Sequence, residues 1–218
     1  MTQALRNICR FFKEEPLRIS LFYIPLHALI YFLTQYISRT YTDISCPLDD
    51  LIPLVPFFSL PYLLWYIYMA LGILVPFFTG NRKMLRVTAF VTLGGMCFCL
   101  LCCLAFPSHF PGRPELSQVT GSGPFTALLR FVYSADQPFN VFPSMHCQGA
   151  LSTHFALCRS KCFAGRKWPK ILSLCFVAAV CASTALIKQH SVLDILPGLA
   201  VALMLWLCVR AYEKKKSL

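Results

Sequence analysis

Apolar positions along the chain fall into long, nearly unbroken runs instead of the alternating or every-third-residue patterns of a soluble fold. Runs at residues 16–35, 54–78, 87–106, 171–187 and 192–209 each approach the roughly 20 helical residues that cross a hydrocarbon core about 30 Å thick. The first run lacks the short apolar core and small-residue cleavage site of a secretory signal, so it is expected to be a retained anchor. Pro56, Pro61 and Pro76 interrupt the second, which a membrane helix tolerates where its neighbours satisfy the freed carbonyls. Only Lys188, Gln189, His190 and Ser191 separate the last two runs, which predicts a tight helical hairpin. Residues 107–140 are polar and rich in Gly and Pro, and read as a long loop of the kind that carries function.

The stretch from Phe142 to Cys158 holds two histidines, a glutamine and several hydroxyls, and hydropathy alone leaves it unassigned. Charge decides it. If this stretch crosses, 16 of the 20 Lys and Arg fall on one face: Arg6, Arg10, Lys13 and Arg18; Arg82, Lys83 and Arg86; Arg159 to Lys170; and Arg210 to Lys216. Arg39, Arg113, Arg130 and Lys188 are left on the other, with six of the nine acids. Cytoplasmic loops carry the excess of Lys and Arg, so the expected fold is all-α: one polytopic domain over residues 1–218, with six transmembrane helices at 16–35, 54–78, 87–106, 142–158, 171–187 and 192–209 and both termini in the cytoplasm.

Composition agrees with this and narrows it. Of 218 residues, 57% are apolar and 13% charged, with a mean hydropathy of +0.61, which excludes an ordinary cytosolic globule. The formal charge of +11 would point to nucleic acid in a soluble chain, but here it reports orientation, and no nucleic-acid partner is expected. The Lys214–Lys216 tail is placed to meet anionic headgroups of the membrane lipids. Most of the 12 cysteines fall within the runs, where Cys acts as a small apolar residue, and no spacing resembles a metal site.

Ionisable residues near a bilayer are costly, so each is a functional candidate. Three gather on the outer face in this topology: His146 at the top of the fourth helix, His190 in the last hairpin, and Asp194 at the top of the sixth helix. His190 and Asp194 are four apart, the helical spacing that lets a carboxylate hold one ring nitrogen, fix the tautomer and leave the other nitrogen more basic. Such a histidine is a nucleophile. His146 follows Pro143 and Ser144, which are helix-start signals, so backbone N–H groups should point outward there and favour an anion. With Arg113 and Lys188 on the same face, these parts suit phosphoryl transfer. His27, alone in the first run, and His154, roughly 80° round the helix from His146, read as packing or inter-helix hydrogen-bonding residues. The Trp65-Tyr66-Ile67-Tyr68 run reads as packing or interfacial anchors, and Asp136 and Asn140 as residues that order the loop or touch the headgroup.

These residues resemble the motifs of the type 2 phosphatidic acid phosphatase (PAP2) superfamily of membrane lipid phosphatases and phosphotransferases. Its Pro-Ser-x-His motif is matched at Pro143, Ser144, Met145 and His146, with Met145 where glycine is usual. Its Ser-Arg-x5-His-x3-Asp motif is matched at Ser183, His190 and Asp194, with Thr184 at the arginine. Of its Lys-x6-Arg-Pro motif only Arg113 and Pro114 are present, because the lysine position is Phe106. Two phosphate-binding cations are thus missing, and Lys188 is the nearest candidate substitute.

The resemblance implies a six-helix core with an outward-facing site. It makes His190 the nucleophile, Asp194 its orienting partner and His146 the proton donor and acceptor, with Ser144, Ser183, Arg113 and Lys188 holding phosphate oxygens. No cofactor or metal is implied. The expected substrate is a lipid phosphate or diphosphate and the expected enzyme an integral membrane lipid-phosphate phosphohydrolase working through a phosphohistidine. The degenerate first motif is also similar to the branch of inositol-phosphorylceramide and sphingomyelin synthases, where an alcohol replaces water as acceptor. A small transporter is the remaining alternative; it would show related halves with polar residues at the midplane, and neither pattern occurs. Compactness suggests a prokaryotic plasma membrane, and the residues leave the oligomeric state open.

Overall fold

The computed structural model describes residues 3–14, 16–36 and 40–216. Arg39, assigned to the outer face by its charge, lies outside them. In chain order the elements are α1 (Gln3–Glu14), a 3-10 turn (Pro16–Phe22), α2 (Tyr23–Tyr36), a two-residue strand β1 (Thr42–Asp43), the short α3 (Pro47–Leu51), a 3-10 turn (Pro56–Phe58), α4 (Ser59–Thr79) and α5 (Arg82–Val87). A π-helical stretch (Thr88–Leu93) joins α5 to α6 (Gly94–Ala105). There follow β2 (Ser108–His109), a 3-10 turn (Leu116–Gln118), α7 (Pro124–Ala135), α8 (Met145–Leu157), α9 (Lys167–Leu186) and α10 (Val192–Lys216). The fold is all-α: among the described residues the named strands are this one parallel pair of two-residue segments.

Four helical stretches are long and apolar enough to cross a membrane: Pro56–Thr79, Arg82–Ala105, Lys167–Leu186 and Val192–Lys216. Four of the six expected crossings therefore meet that standard. The other two are shorter than their apolar runs suggested. Residues 16–35 divide into the 3-10 turn and a 14-residue α2, and α8 has 13 residues, roughly 20 Å at 1.5 Å per residue.

Despite its length, α8 is the centre of the bundle, packed against α4, α6, α9 and α10. Its two ends are fixed to the two ends of α10. The Ser144 N–H donates to the Asp194 carbonyl at 3.1 Å, and Arg159, just past its last turn, meets Glu213 at 2.8 Å. The two helices run parallel, so the connecting α9 must return the chain. The polar residues of α8 that confuse hydropathy are spent on its neighbours. Gln148, fully buried, donates to the Val91 carbonyl at 2.8 Å, in the π-helical stretch. His154 pairs with Ser173 of α9 at 2.8 Å, the inter-helix role expected of it.

Residues 107–140 are more ordered than a polar loop. They contain α7, which buries Leu129, Val132 and Tyr133 against Tyr62 and Ile187. The segment roofs one end of the bundle. At the opposite end Lys83, Arg86, Arg159, Arg210, Lys214 and Lys216 gather around Glu213, so six of the 16 positive charges assigned to one face lie together in space.

Candidate active site

The roofed end is built from the hairpin between α9 and α10. Its turn closes because the N–H groups of Gln189 and His190 both donate to the Thr184 carbonyl, at 2.9 and 3.0 Å, and because the Tyr133 hydroxyl donates to the Ile187 carbonyl at 2.7 Å. Lys188 takes a left-handed backbone conformation, φ 54°, which costs a non-glycine residue roughly 1–2 kcal/mol and has to be held by its surroundings. Asp49, on α3, supplies much of that hold. Its carboxylate accepts the Ser191 hydroxyl at 2.6 Å, the Val192 N–H at 2.9 Å and the Cys46 N–H at 2.8 Å, while Lys188 Nζ donates to its main-chain carbonyl. Burial works against the ionised form of Asp49, yet these bonds outweigh it and hold the carboxyl below its ordinary pKa.

His190 is thereby presented with its ring 7% exposed, and Asp194, wholly buried in the first turn of α10, holds its Nδ1 at 3.3 Å. The same carboxylate oxygen accepts the Ser191 N–H at 3.1 Å. Burial opposes charging of the His190 ring, but the hydrogen bond and charge of Asp194 prevail, and its pKa lies above the ordinary 6.5. With Nδ1 engaged, Nε2 is left for chemistry.

His146 arrives from α8. Ser144 caps that helix, its hydroxyl accepting the Cys147 N–H at 3.4 Å, and α10 comes close enough that a Cβ on Gly198 would sit 2.4 Å from the Ser144 carbonyl oxygen. Glycine at 198 is what lets the two helices bring their histidines together. The rings of His146 and His190 lie 5.6 Å apart between centroids, at 67°. Tyr62 and Trp65 of α4 flank His146, each with its ring centroid 4.3 Å away, and His146 Nε2 is buried with no hydrogen-bond partner among the described residues.

Both histidines line one cavity, which is otherwise walled by Tyr31, Tyr62, Trp65, Tyr66 and Asp136, by the polar side chains of His27, Gln137, Asn140 and Gln189, and by apolar side chains from α2, α6 and the segment before α8. A buried, unpartnered imidazole nitrogen facing a second histidine backed by a carboxylate has the groups that acid–base and nucleophilic chemistry require.

Residues 113–217 match the family model of the PAP2 superfamily. The matched stretch contains every motif position from Arg113 to Asp194, and over it the chain is similar to the PAP2 superfamily, a group of phosphatases and related phosphotransferases. The long apolar helices are those of an integral membrane protein. No curated protein and no solved structure matches the chain.

Of the residues expected at the site, His146, His190 and Asp194 come together as described. The four expected phosphate ligands do not line the cavity. Ser183 is buried in α9 and donates to the Val180 carbonyl at 2.6 Å, and Ser144 serves its helix cap. Lys188 is turned to Asp49. Arg113 donates to the main-chain carbonyls of Asp136 and Tyr133 and to Gln189 Oε1, and lies 4.0 Å above the Tyr133 ring. Its half-burial lowers its pKa, with Tyr133 and Asp136 opposing the shift. Thr184 and Phe106 hold the two motif positions that lack a cation; Thr184 closes the hairpin, and Phe106 is partly exposed at the end of α6.

Two residues matter more here than their sequence context suggested. Asp49 looks like one of several loop acids until the fold lays it under the hairpin. Asp136 sits at the cavity with its two carboxylate oxygens held by the hydroxyls of Tyr31 and Tyr62, at 2.8 and 2.6 Å. The signal for these contacts is spread over residues about 70 to 140 positions apart, which no local pattern carries.

Proposed function

We propose that the protein breaks the phosphate ester of a membrane lipid through a phosphohistidine at His190. The observation that carries this is the shared cavity of His146 and His190, with Asp194 behind the second. His190 Nε2 attacks phosphorus, the bond from phosphorus to the lipid oxygen breaks, and that oxygen takes the proton from His146 Nε2. In the second step a water molecule gives a proton to His146 while its oxygen attacks phosphorus, and the P–N bond breaks. Asp194 orients His190 and stabilises the charge that forms on its ring. The N-terminus of α8 provides the partial positive charge on the phosphate side.

In this reading the chain is one transmembrane unit. Six segments cross the membrane, both termini are cytoplasmic and the cavity opens on the outer face, in keeping with the charge asymmetry and the parallel run of α8 and α10. The leading activity is lipid-phosphate phosphohydrolysis. Transfer to a second lipid alcohol is the alternative. It is favoured by the absence of Lys and Arg from the cavity lining among the described residues, since a site with few cations retains a singly charged phosphodiester more readily than a phosphate dianion.

The test is product release from a panel of lipid phosphates, mono- and diester, by purified protein with and without an added lipid alcohol. Wild-type protein should liberate phosphate or a phosphorylated headgroup, or transfer it when alcohol is present. His190→Ala should lose roughly 10³-fold or more of that activity while eluting as the wild type does. Equal activity in the variant overturns the phosphohistidine.

A further inference from the structure

The cavity's lining is better suited to a cation than to an anion. Among the described residues it includes four aromatic side chains from α2 and α4, one carboxylate that meets no Lys, Arg or His at salt-bridge distance, the histidine pair, His27, the amides of Gln137, Asn140 and Gln189, and no lysine or arginine. Arg113 lies nearby and its charge is felt by Asp136, but its guanidinium is bonded to two main-chain carbonyls and Gln189 and reaches neither the Asp136 carboxylate nor the cavity lining. Asp194 is matched by His190, which leaves Asp136 as the charge facing the space.

We propose that this cavity seats a quaternary ammonium headgroup between Tyr31, Tyr62, Trp65, Tyr66 and Asp136, so that the lipid cleaved at His190 is a zwitterionic phosphodiester. The inference rests on the phosphohistidine reading and specifies its substrate. Aromatic faces attract a cation through the ring quadrupole, and most strongly where water is excluded; Tyr62 and Trp65 are buried, while Tyr66 stands half-exposed at the rim. The hydroxyls of Tyr31 and Tyr62 donate to Asp136, which increases electron density in both rings and holds the carboxylate in place.

Three competing headgroups fit less well. A phosphate monoester would bring two negative charges to a cavity that already faces a carboxylate. A polyol such as inositol needs several free hydrogen-bonding groups, and of the three amides in the lining Gln189 is engaged by Arg113 and the Asp136 carbonyl and Asn140 donates to Thr34. A primary ammonium group wants three acceptors, whereas a quaternary one donates no hydrogen bond and needs only surface and opposite charge. Balance of charge also favours the zwitterion. Its phosphate meets the His190 and α8 side, its ammonium meets Asp136, and neither requires the two cations missing from the family motifs.

The experiment measures binding separately from turnover, on the full chain with His190→Ala in maltoside micelles. Intrinsic tryptophan fluorescence is followed during titration with a short-chain phosphodiester lipid bearing a choline headgroup, and with the same lipid bearing 3,3-dimethylbutanol, the uncharged isostere. The choline lipid should bind about ten-fold more tightly than its isostere, and both more tightly than the short-chain phosphatidate. Asp136→Asn and, independently, Tyr31→Leu should reduce the ratio between the isosteres to about two-fold or less. Equal affinity for the isosteres, tighter binding of phosphatidate, or no measurable binding of the choline lipid overturns the headgroup assignment. Because the protein in this titration lacks the nucleophile, a phosphohistidine disproved by an active His190→Ala enzyme leaves the ratio to be read on its own.

Discussion

Helix α10 carries a carboxylate near each end, and the two work differently. Glu213, at the basic end, accepts Arg86 at 3.0 Å and Arg159 at 2.8 Å from two other segments, with solvent reaching all three side chains. Asp194, at the roofed end, is wholly buried, and its carboxylate holds one histidine, one backbone N–H and nothing else at salt-bridge or hydrogen-bond distance among the described residues. At the basic end charge acts by number. Several cations share one direction relative to the membrane, and each is screened by water and by the next. At the roofed end charge acts by placement: a single carboxylate sets the tautomer, orientation and basicity of one ring, with no second group to substitute.

The strongest way to sharpen that contrast is to remove the placed charge and keep its shape. Asp194→Asn should reduce turnover by roughly 10²–10⁴-fold with folding retained, because an amide can present its NH₂ to His190 Nδ1 and stabilise the wrong tautomer. The pH profile should move too. In the proposed mechanism the nucleophile is the neutral ring, and Asp194 raises the His190 pKa above 6.5, so wild-type activity should fall as pH drops through a value above 6.5. With asparagine the acid limb should shift to lower pH, where burial of the ring is no longer opposed by a carboxylate. A pH–rate profile that stays in place would show that His190 titrates independently of Asp194.

The next effect concerns the support of the hairpin. Asp49 accepts three hydrogen bonds with two oxygens, and an asparagine side chain in its place has one acceptor oxygen to offer them. Asp49→Asn should cost about 2 kcal/mol of stability, measured as earlier unfolding in detergent, since it leaves a buried donor facing the amide NH₂. The sign with pH is fixed by the lowered pKa. The carboxylate's contribution is present above its ordinary pKa of 3.8 and is lost as pH falls through the depressed folded value, so wild type and variant should converge only in strong acid. Equal unfolding at neutral pH would mean that the hairpin holds its left-handed Lys188 without Asp49.

These two sites also show what a sequence can and cannot reveal. His190 and Asp194 are four residues apart, and His146 follows a proline and a helix cap, so local spacing was enough to pick out the three side chains that the fold brings together. The gathering of cations at one end was legible from charge, because positive residues sort by side whatever the helices do in detail. Three features were not legible. Hydropathy made α8 ambiguous because its polar groups are satisfied by π-helix and α9 partners distant in sequence. Residues 107–140 concealed α7, whose apolar stripe is short and interrupted. The phosphate ligands expected at Arg113, Lys188, Ser144 and Ser183 were assigned by analogy of position, whereas in three dimensions each of them is taken up by hairpin, roof or helix ends. A motif records which residue types are present; it does not record what they are already bonded to.

The smallest expected effect tests the other half of the comparison. Arg86→Ala removes one of the two cations on Glu213 and the contact of Arg86 with the Tyr212 ring, 5.7 Å from its centroid. Arg86 is 31% exposed, so the pair is partly screened, and Arg159 remains to hold the carboxylate at 2.8 Å. The loss should be less than about 1 kcal/mol in detergent unfolding, with turnover within about two-fold of wild type. The orientation of the protein, tested by reagent access to a single cysteine at either terminus, should also be unchanged, because 15 of the 16 cations that the proposed topology puts on one face remain. A large loss of activity from this change would mean that the two ends of α10 are coupled through the helix, and that its basic end is placed as specifically as the roofed one.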